Sequence, residues 1–250
     1  GTASAIRAGV NLCRSLWKDE GGRMKAEVVV YEELTFPEVD ALPRDITLLI
    51  PFGDANDYAW DTVLDRVQKT RSAVPLDRVC VFPAIPYGFR GSSLEVDPKL
   101  FKRVIQSLIA TLREDGFTNV FVINGYGPQG FATISIKRRG ESRARPFSPL
   151  ADQVALIPTG HTEQHAFHLP LSTDTLIIDA IARGVEAQLP AAILRLPTWP
   201  YGVSMHRRQY PGTVTIDPRA WEDFWVEIVG QIRSIGLKMV YLINGHGGNH

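Results

Sequence analysis

Short apolar runs alternate along the chain with longer segments whose apolar residues recur at helical spacing. The runs at 46–50, 119–123, 154–157 and 239–243 each stop at Pro or Asn, which predicts buried strands. Residues 26–31 and 78–82 read as further strands. At 3–17, Ile6, Val10, Cys13, Leu16 and Trp17 follow a helical period that Gly21-Gly22 ends. A short helix is expected over 35–42, with Thr35 as N-cap and Pro37 in the first turn, and longer helices over 58–69 and 98–114. Trp221 and Trp225, four apart on another predicted helix, are core positions. Strands alternating with amphipathic helices need a sheet covered on both faces. The expected class is therefore α/β, a layered α/β/α fold with a mostly parallel sheet.

These signals occur twice, in the same order. Ile50-Pro51-Phe52-Gly53 returns as Ile157-Pro158-Thr159-Gly160, Asp61-Thr62 as Asp174-Thr175, and Pro86-Tyr87-Gly88 as Pro200-Tyr201-Gly202. Asp97-Pro98 returns as Asp217-Pro218, and Ile123-Asn124-Gly125-Tyr126-Gly127 as Ile243-Asn244-Gly245-His246-Gly247. The separation grows from 107 residues at Ile50 and Ile157 to 120 at Ile123 and Ile243, as a duplication with small insertions would give. The expected organisation is a helix-strand segment over 1–33, a first copy over 34–130, a connector over 131–149 and a second copy over 150–250. The copies differ where chemistry would sit. Glu163 and His165 fall opposite the neighbourhood of Asn56 and Tyr58, and His246 falls opposite Tyr126; only Asp61 persists in the first copy.

Residues 157–175 gather Glu163, His165, His168 and Asp174 in one turn-rich stretch framed by Gly160 and Pro170. The stretch reads as a loop leaving a buried strand. In an extended loop residues two apart point the same way, so Glu163 and His165 face one centre. His246 follows the 239–243 strand inside Asn244-Gly245-His246-Gly247-Gly248-Asn249. Loops at the C-terminal ends of parallel strands are where such folds bind ligands, so two strand ends can deliver Glu163, His165, Asp174 and His246 to one point. Imidazole nitrogen and carboxylate oxygen suit zinc, manganese or iron, and a site with an open position lowers the pKa of a held water. The plainer alternative is four loop residues that cap helices and satisfy turns. His168 and His206 are expected beside the metals, as catalytic or substrate-facing groups. Trp199 and Tyr201, near a strand end, are expected to wall a substrate pocket.

Composition narrows the partners. Lys and Arg number 27 and so do Asp and Glu, so no net field steers the chain toward nucleic acid or an anionic membrane. The basic run 137–145 contains Gly140 and no aromatic residue, and reads as a solvated connector rather than a phosphate-binding patch. Cys13 and Cys80 form no C-x-x-C pair, which argues against a cysteine zinc site and fits a reducing, cytoplasmic setting. No apolar run approaches the roughly 18 residues of a membrane span. The first residue is Gly1 rather than Met, which leaves a removed signal peptide open. Gly125-Tyr126-Gly127-Pro128-Gln129-Gly130 satisfies G-x-G-x-x-G, but Pro128 and the β-branched residues after it do not open a helix, so a dinucleotide site is not expected. His161 and His165 are four apart, yet the glutamate is misplaced for H-E-x-x-H and the setting is a loop.

Gly160-His161-Thr162-Glu163-Gln164-His165, His168-Leu169-Pro170, Asp174-Thr175, Gly202-Val203-Ser204-Met205-His206, Tyr210-Pro211-Gly212-Thr213 and Asn244-Gly245-His246-Gly247-Gly248-Asn249 together resemble the creatininase (creatinine amidohydrolase) family. The resemblance covers about 150–250 with the full motif set and about 34–130 with a degenerate copy. It implies the family's layered α/β/α fold, a two-metal site, amide hydrolysis and homo-oligomeric assembly. By position, Glu163 and His246 would ligate one divalent ion and His165 the other, with Asp174 bridging. A metal-bound hydroxide would then attack the carbonyl of a small cyclic or linear amide. The family needs a further carboxylate, which creatininase places where this chain has Gly248. Residues 1–33 also look like what the family places directly after its Asn-Gly-His-Gly-Gly-Asn motif. The expectation is therefore a piece, or a window cut from a tandem array, whose missing carboxylate lies in later sequence. A catalytically inactive binding or assembly subunit with an incomplete metal site is the alternative, and metal stoichiometry separates the two.

Overall fold

The computed structural model describes residues 14–18, 24–53, 78–124 and 152–250, with backbone alone at 14–18, 24–28 and 124. Eight strands and four α-helices carry the described fold. The strands are β1 (Arg14–Lys18), β2 (Met24–Val30), β3 (Thr47–Phe52), β4 (Val79–Val81), β5 (Asn119–Asn124), β6 (Val154–Thr159), β7 (Ile193–Arg195) and β8 (Met239–Asn244). The helices are α1 (Phe36–Asp40), α2 (Pro98–Glu114), α3 (Thr173–Gln188) and α4 (Pro218–Ser234).

Helix starts follow local chemistry. Thr35 and Glu38 form a capping box at α1, the Thr35 backbone N–H donating to Glu38 Oε2 at 2.8 Å. Asp97 caps α2 by accepting from Lys99 N at 2.8 Å, and Asp217 caps α4 by accepting from Ala220 N at 2.9 Å. Each aspartate is followed by Pro at the first helical position, where a missing N–H costs nothing.

A five-stranded sheet runs β1-β2-β4-β3-β5 and a three-stranded sheet runs β7-β6-β8. Only β1 and β2 pair antiparallel; every other pairing between described strands is parallel, as expected. The two sheets share a local plan. β3 lies between β4 and β5, as β6 lies between β7 and β8. Thr47–Phe52 pairs residue for residue with Asn119–Asn124, and Val154–Thr159 does so with Met239–Asn244. Beyond the strands, the bridge Phe52 to Ile85 recurs as Thr159 to Trp199.

One continuous core draws on both sheets. Where α2 approaches α4, Arg103 pairs with Asp223 at 3.0 Å. Phe224 of α4 lies so close to Gly88 that an added Cβ there would sit 2.5 Å from its ring. Gly88 also has φ +96, so both space and backbone conformation require glycine. Trp221 and Trp225 are buried, as their spacing predicted. Among the described residues no helix is long and apolar enough to cross a membrane.

Three expectations need adjusting. Arg14–Lys18, the end of the expected 3–17 helix, forms a strand on β2, because cross-strand pairing overrides a local apolar period. Helix α3 was not anticipated, and strand β7, implied by the strand end before Trp199, was given no bounds. Leu176, Ile177 and Ile181 are more than half exposed, so the apolar stripe of α3 is blurred. Residues 3–13, the 58–69 helix, Asp61, Tyr126, the G-x-G-x-x-G stretch and the 131–149 connector lie outside the described residues.

Candidate metal centre

The centre is assembled at the C-terminal ends of β6 and β8. After Thr159 the chain turns at Gly160, where an added Cβ would lie 2.5 Å from Thr175 Cα, so only glycine lets α3 come this near. The loop beyond is pinned at several points. Gly160 N donates to Trp199 O at 2.8 Å, Thr162 Oγ1 to Pro200 O at 2.9 Å, and Glu163 N to Leu171 O at 3.1 Å. Thr175 Oγ1 donates to His161 O at 3.0 Å, tying the loop to the first turn of α3. Ala166, the one described non-glycine residue with positive φ (56°), reverses the chain after His165.

The second arm is the turn after β8. Asn244 accepts from His246 N at 3.0 Å and donates to His246 O at 2.8 Å, closing the turn around the histidine. Asn249 accepts from Val203 N at 3.0 Å and donates to Asn244 Oδ1 at 3.2 Å, so one side chain joins two strand-end loops.

Glu163, His165, Asp174 and His246 converge. Asp174 Oδ1 is 3.1 Å from His165 Nε2, and Asp174 Oδ2 is 2.8 Å from His246 Nδ1. Glu163 Oε1 is 3.5 Å from His246 Nδ1, and Ser204 Oγ donates to Glu163 Oε2. The outer nitrogen of each imidazole faces a backbone carbonyl: His165 Nδ1 is 3.0 Å from Glu163 O, and His246 Nε2 is 3.1 Å from Val203 O. A carbonyl only accepts, so both outer nitrogens carry the hydrogen. The inner nitrogens of the neutral rings then present lone pairs to carboxylate oxygens, an arrangement that requires a cation between them or a proton on each ring. Tying the outer N–H to a carbonyl is also how metal-ligating histidines are oriented.

The electrostatics agree. Burial works against the Asp174 carboxylate, yet with a proton on each ring the hydrogen bonds from His165 and His246 outweigh it and hold the carboxyl well below the usual range. The hydrogen bond with Asp174 raises the pKa of His165 against the opposing effect of burial. By donor type and spacing, imidazole nitrogens and carboxylate oxygens about 3 Å apart, the set fits divalent metal. His161, Glu163 and His246 offer ligand atoms within 4.8 Å of one another, and so do Glu163, His165 and Asp174.

His161 was not among the expected ligands, and it is wholly buried with its ring 4.3 Å from that of His246. Burial, reinforced by His246, pushes its pKa well below the ordinary value. A signal was present: residues 161, 163 and 165 share one parity, so the alternation that paired Glu163 with His165 includes His161. Ser204, inside a quoted motif, was likewise not assigned its bond to Glu163.

The remaining expected residues divide. His206 is exposed, its ring 5.8 Å from His246 and nearly parallel to it. His168 is exposed and borders a cavity of about 430 Å³ with Glu32, Thr35, Ser172 and Thr175. Trp199 and Tyr201, expected at a pocket wall, are both fully buried. Trp199 packs against Phe224 (4.5 Å) and Tyr87 (5.3 Å), and Tyr201 donates to Pro83 O at 2.5 Å. A bulky ring after a strand gains more from the core than from solvent. Gly248, where the resemblance called for a carboxylate, has no room for a side chain: an added Cβ would sit 2.2 Å from Val203 O and 2.6 Å from His246 Nε2.

Residues 141–250 match the family model described as "Creatininase: Creatinine amidohydrolase". A mycofactocin precursor peptide peptidase of Mycolicibacterium smegmatis is 40% identical over 114 residues, covering 44% of this chain and 45% of that protein. The creatinine amidohydrolase of Pseudomonas putida is 26% identical over 100 residues, covering 38% of each. A crystal structure of creatinine amidohydrolase is similar at 28% identity and TM-score 0.38, covering 40% of this chain and 41% of that one. The chain spans less than half the length of the curated relatives it matches. Residues 141–250, the stretch that family model matches, hold every side chain of the centre.

Proposed function

We propose that this chain carries the active centre of a divalent-metal-dependent hydrolase that splits a C–N bond in a small cyclic or linear amide. One observation carries the reading: two imidazoles, each anchored through its outer N–H to a backbone carbonyl, turn their inner nitrogens to the two oxygens of Asp174. That is the disposition of a carboxylate shared between two cations. Two kinds of matched relative, a peptide peptidase and a creatinine amidohydrolase, have amide cleavage in common in their names, while a third is named a 3-dehydro-scyllo-inosose hydrolase, so hydrolysis is what all three share.

Glu163 and His246 would hold one ion and His165 the other, with Asp174 between them. Bound there, zinc, manganese or iron would supply Lewis acidity and a water of lowered pKa. The chain's own residues do the rest. Ser204 fixes the Glu163 carboxylate, and the Val203 and Glu163 carbonyls fix the two ring tautomers. His206, exposed with its ring 5.8 Å from that of His246, and His168, exposed at the cavity it borders with Ser172 and Thr175, would hold or release a proton at the substrate. The residues 34–130 are read as a degenerate copy of 150–250, supported by the shared strand order and register.

The test is metal content and amide hydrolysis in one variant set. Asp174→Asn should abolish hydrolysis and lower the content of both ions. His165→Ala should empty chiefly one, and Asp61→Asn, in the degenerate copy, should leave both nearly unchanged. If Asp61→Asn proves as damaging as Asp174→Asn, the centre has been placed in the wrong half.

A further inference from the structure

We infer that His161 is a ligand of the first ion, completing a centre of two imidazoles and one carboxylate with His246 and Glu163. This rests on the metal-dependent reading above and names a residue that the family resemblance does not place on the metals.

The argument begins with an unsatisfied side chain. His161 is completely buried, and neither ring nitrogen has a hydrogen-bond partner. Such a group is unfavourable inside a protein unless something binds it. In the same loop the Gln164 side-chain oxygen also lacks a partner, but the other polar neighbours are satisfied. Thr162, Glu163, His165, Thr175 and Ser204 all engage partners, and the His161 carbonyl itself accepts from Thr175. The residue is held in place while its imidazole is left without a partner.

What lies within its reach is a metal-ligating set. One nitrogen of His161, one oxygen of Glu163 and one nitrogen of His246 all fall within 4.8 Å of one another, and all three residues are buried. Two neutral imidazoles and a carboxylate suit zinc or a similar borderline ion and leave a position for a reacting group. The ligands divide without conflict. His165 Nε2 meets Asp174 Oδ1 on one side, while His246 Nδ1 meets Asp174 Oδ2 and lies near Glu163 Oε1 on the other, where His161 stands.

The experiment titrates the chelator-stripped protein with cobalt(II), following heat and visible d–d absorption. The variants are His161→Phe, which keeps a ring and removes both nitrogens, and His161→Gln. Wild type should bind two ions. Both variants should bind one of them more than about 100-fold more weakly, beyond the range found for residues that merely orient a ligand. The melting temperature of the metal-free protein should stay level or rise, since an unsatisfied group has been removed. Unchanged affinity for both ions in either folded variant would overturn the assignment while leaving the two-metal reading intact. A wild-type protein that binds no cobalt would overturn both. If neither variant folds, X-ray absorption on wild type decides: three imidazoles across two ions support His161 as a ligand, and two contradict it.

Discussion

Gly248→Ala is the sharpest perturbation of the anchoring that orients His246. A β-carbon at this position would lie 2.2 Å from Val203 O, 2.6 Å from His246 Nε2 and 3.1 Å from His206 Cε1. The nearest atom is backbone and cannot swing aside. Relief must come from shifting Val203 or tilting the imidazole, and either move breaks the 3.1 Å bond from His246 Nε2 to Val203 O. Overpacking costs about 1–3 kcal/mol and the lost hydrogen bond about 1 more, giving a destabilisation of about 2–4 kcal/mol. An unanchored imidazole should also weaken metal binding about 10–100-fold. Gly247→Ala is the matched control, because Gly247 is exposed and an added Cβ meets nothing within 4 Å. Its stability should change by less than about 1 kcal/mol, in the stabilising direction if at all. Denaturant unfolding of the metal-free proteins and cobalt(II) titration read the two effects separately. Gly248→Ala matching Gly247→Ala in both would refute the reasoning.

Two further outcomes follow from other parts of the molecule. Burial, aided by Glu33, pushes the Glu32 carboxyl up to about 7. A raised folded pKa means a contribution fully present below the unfolded value near 4.3 and lost as pH rises through about 7, so Glu32→Gln should stabilise by about 3–4 kcal/mol near pH 8 and by almost nothing near pH 4. A pH-independent effect in denaturant unfolding would contradict this. Trp199→Ala should lower the unfolding free energy by about 3–5 kcal/mol while the folded protein keeps its metal affinity, since Trp199 is core. A variant of wild-type stability with altered substrate selectivity would restore it as a pocket wall.

How much the chain disclosed in advance depended on whether neighbours in sequence were also neighbours in space. Helix α2 was read to the residue, because the Asp97 cap, Pro98 and an amphipathic stripe all state the same boundary locally. The four converging groups were readable because alternation in a loop and a strand-end turn are short-range signals. Arg14–Lys18 was misread, since the β2 backbone that makes it a strand is invisible to a local period. The burial of Trp199 and Tyr201 was not legible, because position after a strand does not say which way a ring points; their packing depends on Tyr87, Phe224 and Pro83, distant in sequence. His161 was passed over for a different reason. Its spacing to His165 points to a zinc-binding helix, and the Gly160 and Pro170 that rule out the helix hide the histidine with it.

Anomalous X-ray diffraction from crystals equilibrated with zinc(II) tests the central claim most directly. The account predicts two peaks about 3.5–4 Å apart, one between His165 Nε2 and Asp174 Oδ1 and the other on the side of Asp174 Oδ2, His246 and Glu163. At saturating zinc, His165 and His246 still bonded directly to Asp174, with no anomalous peak between them, would contradict it.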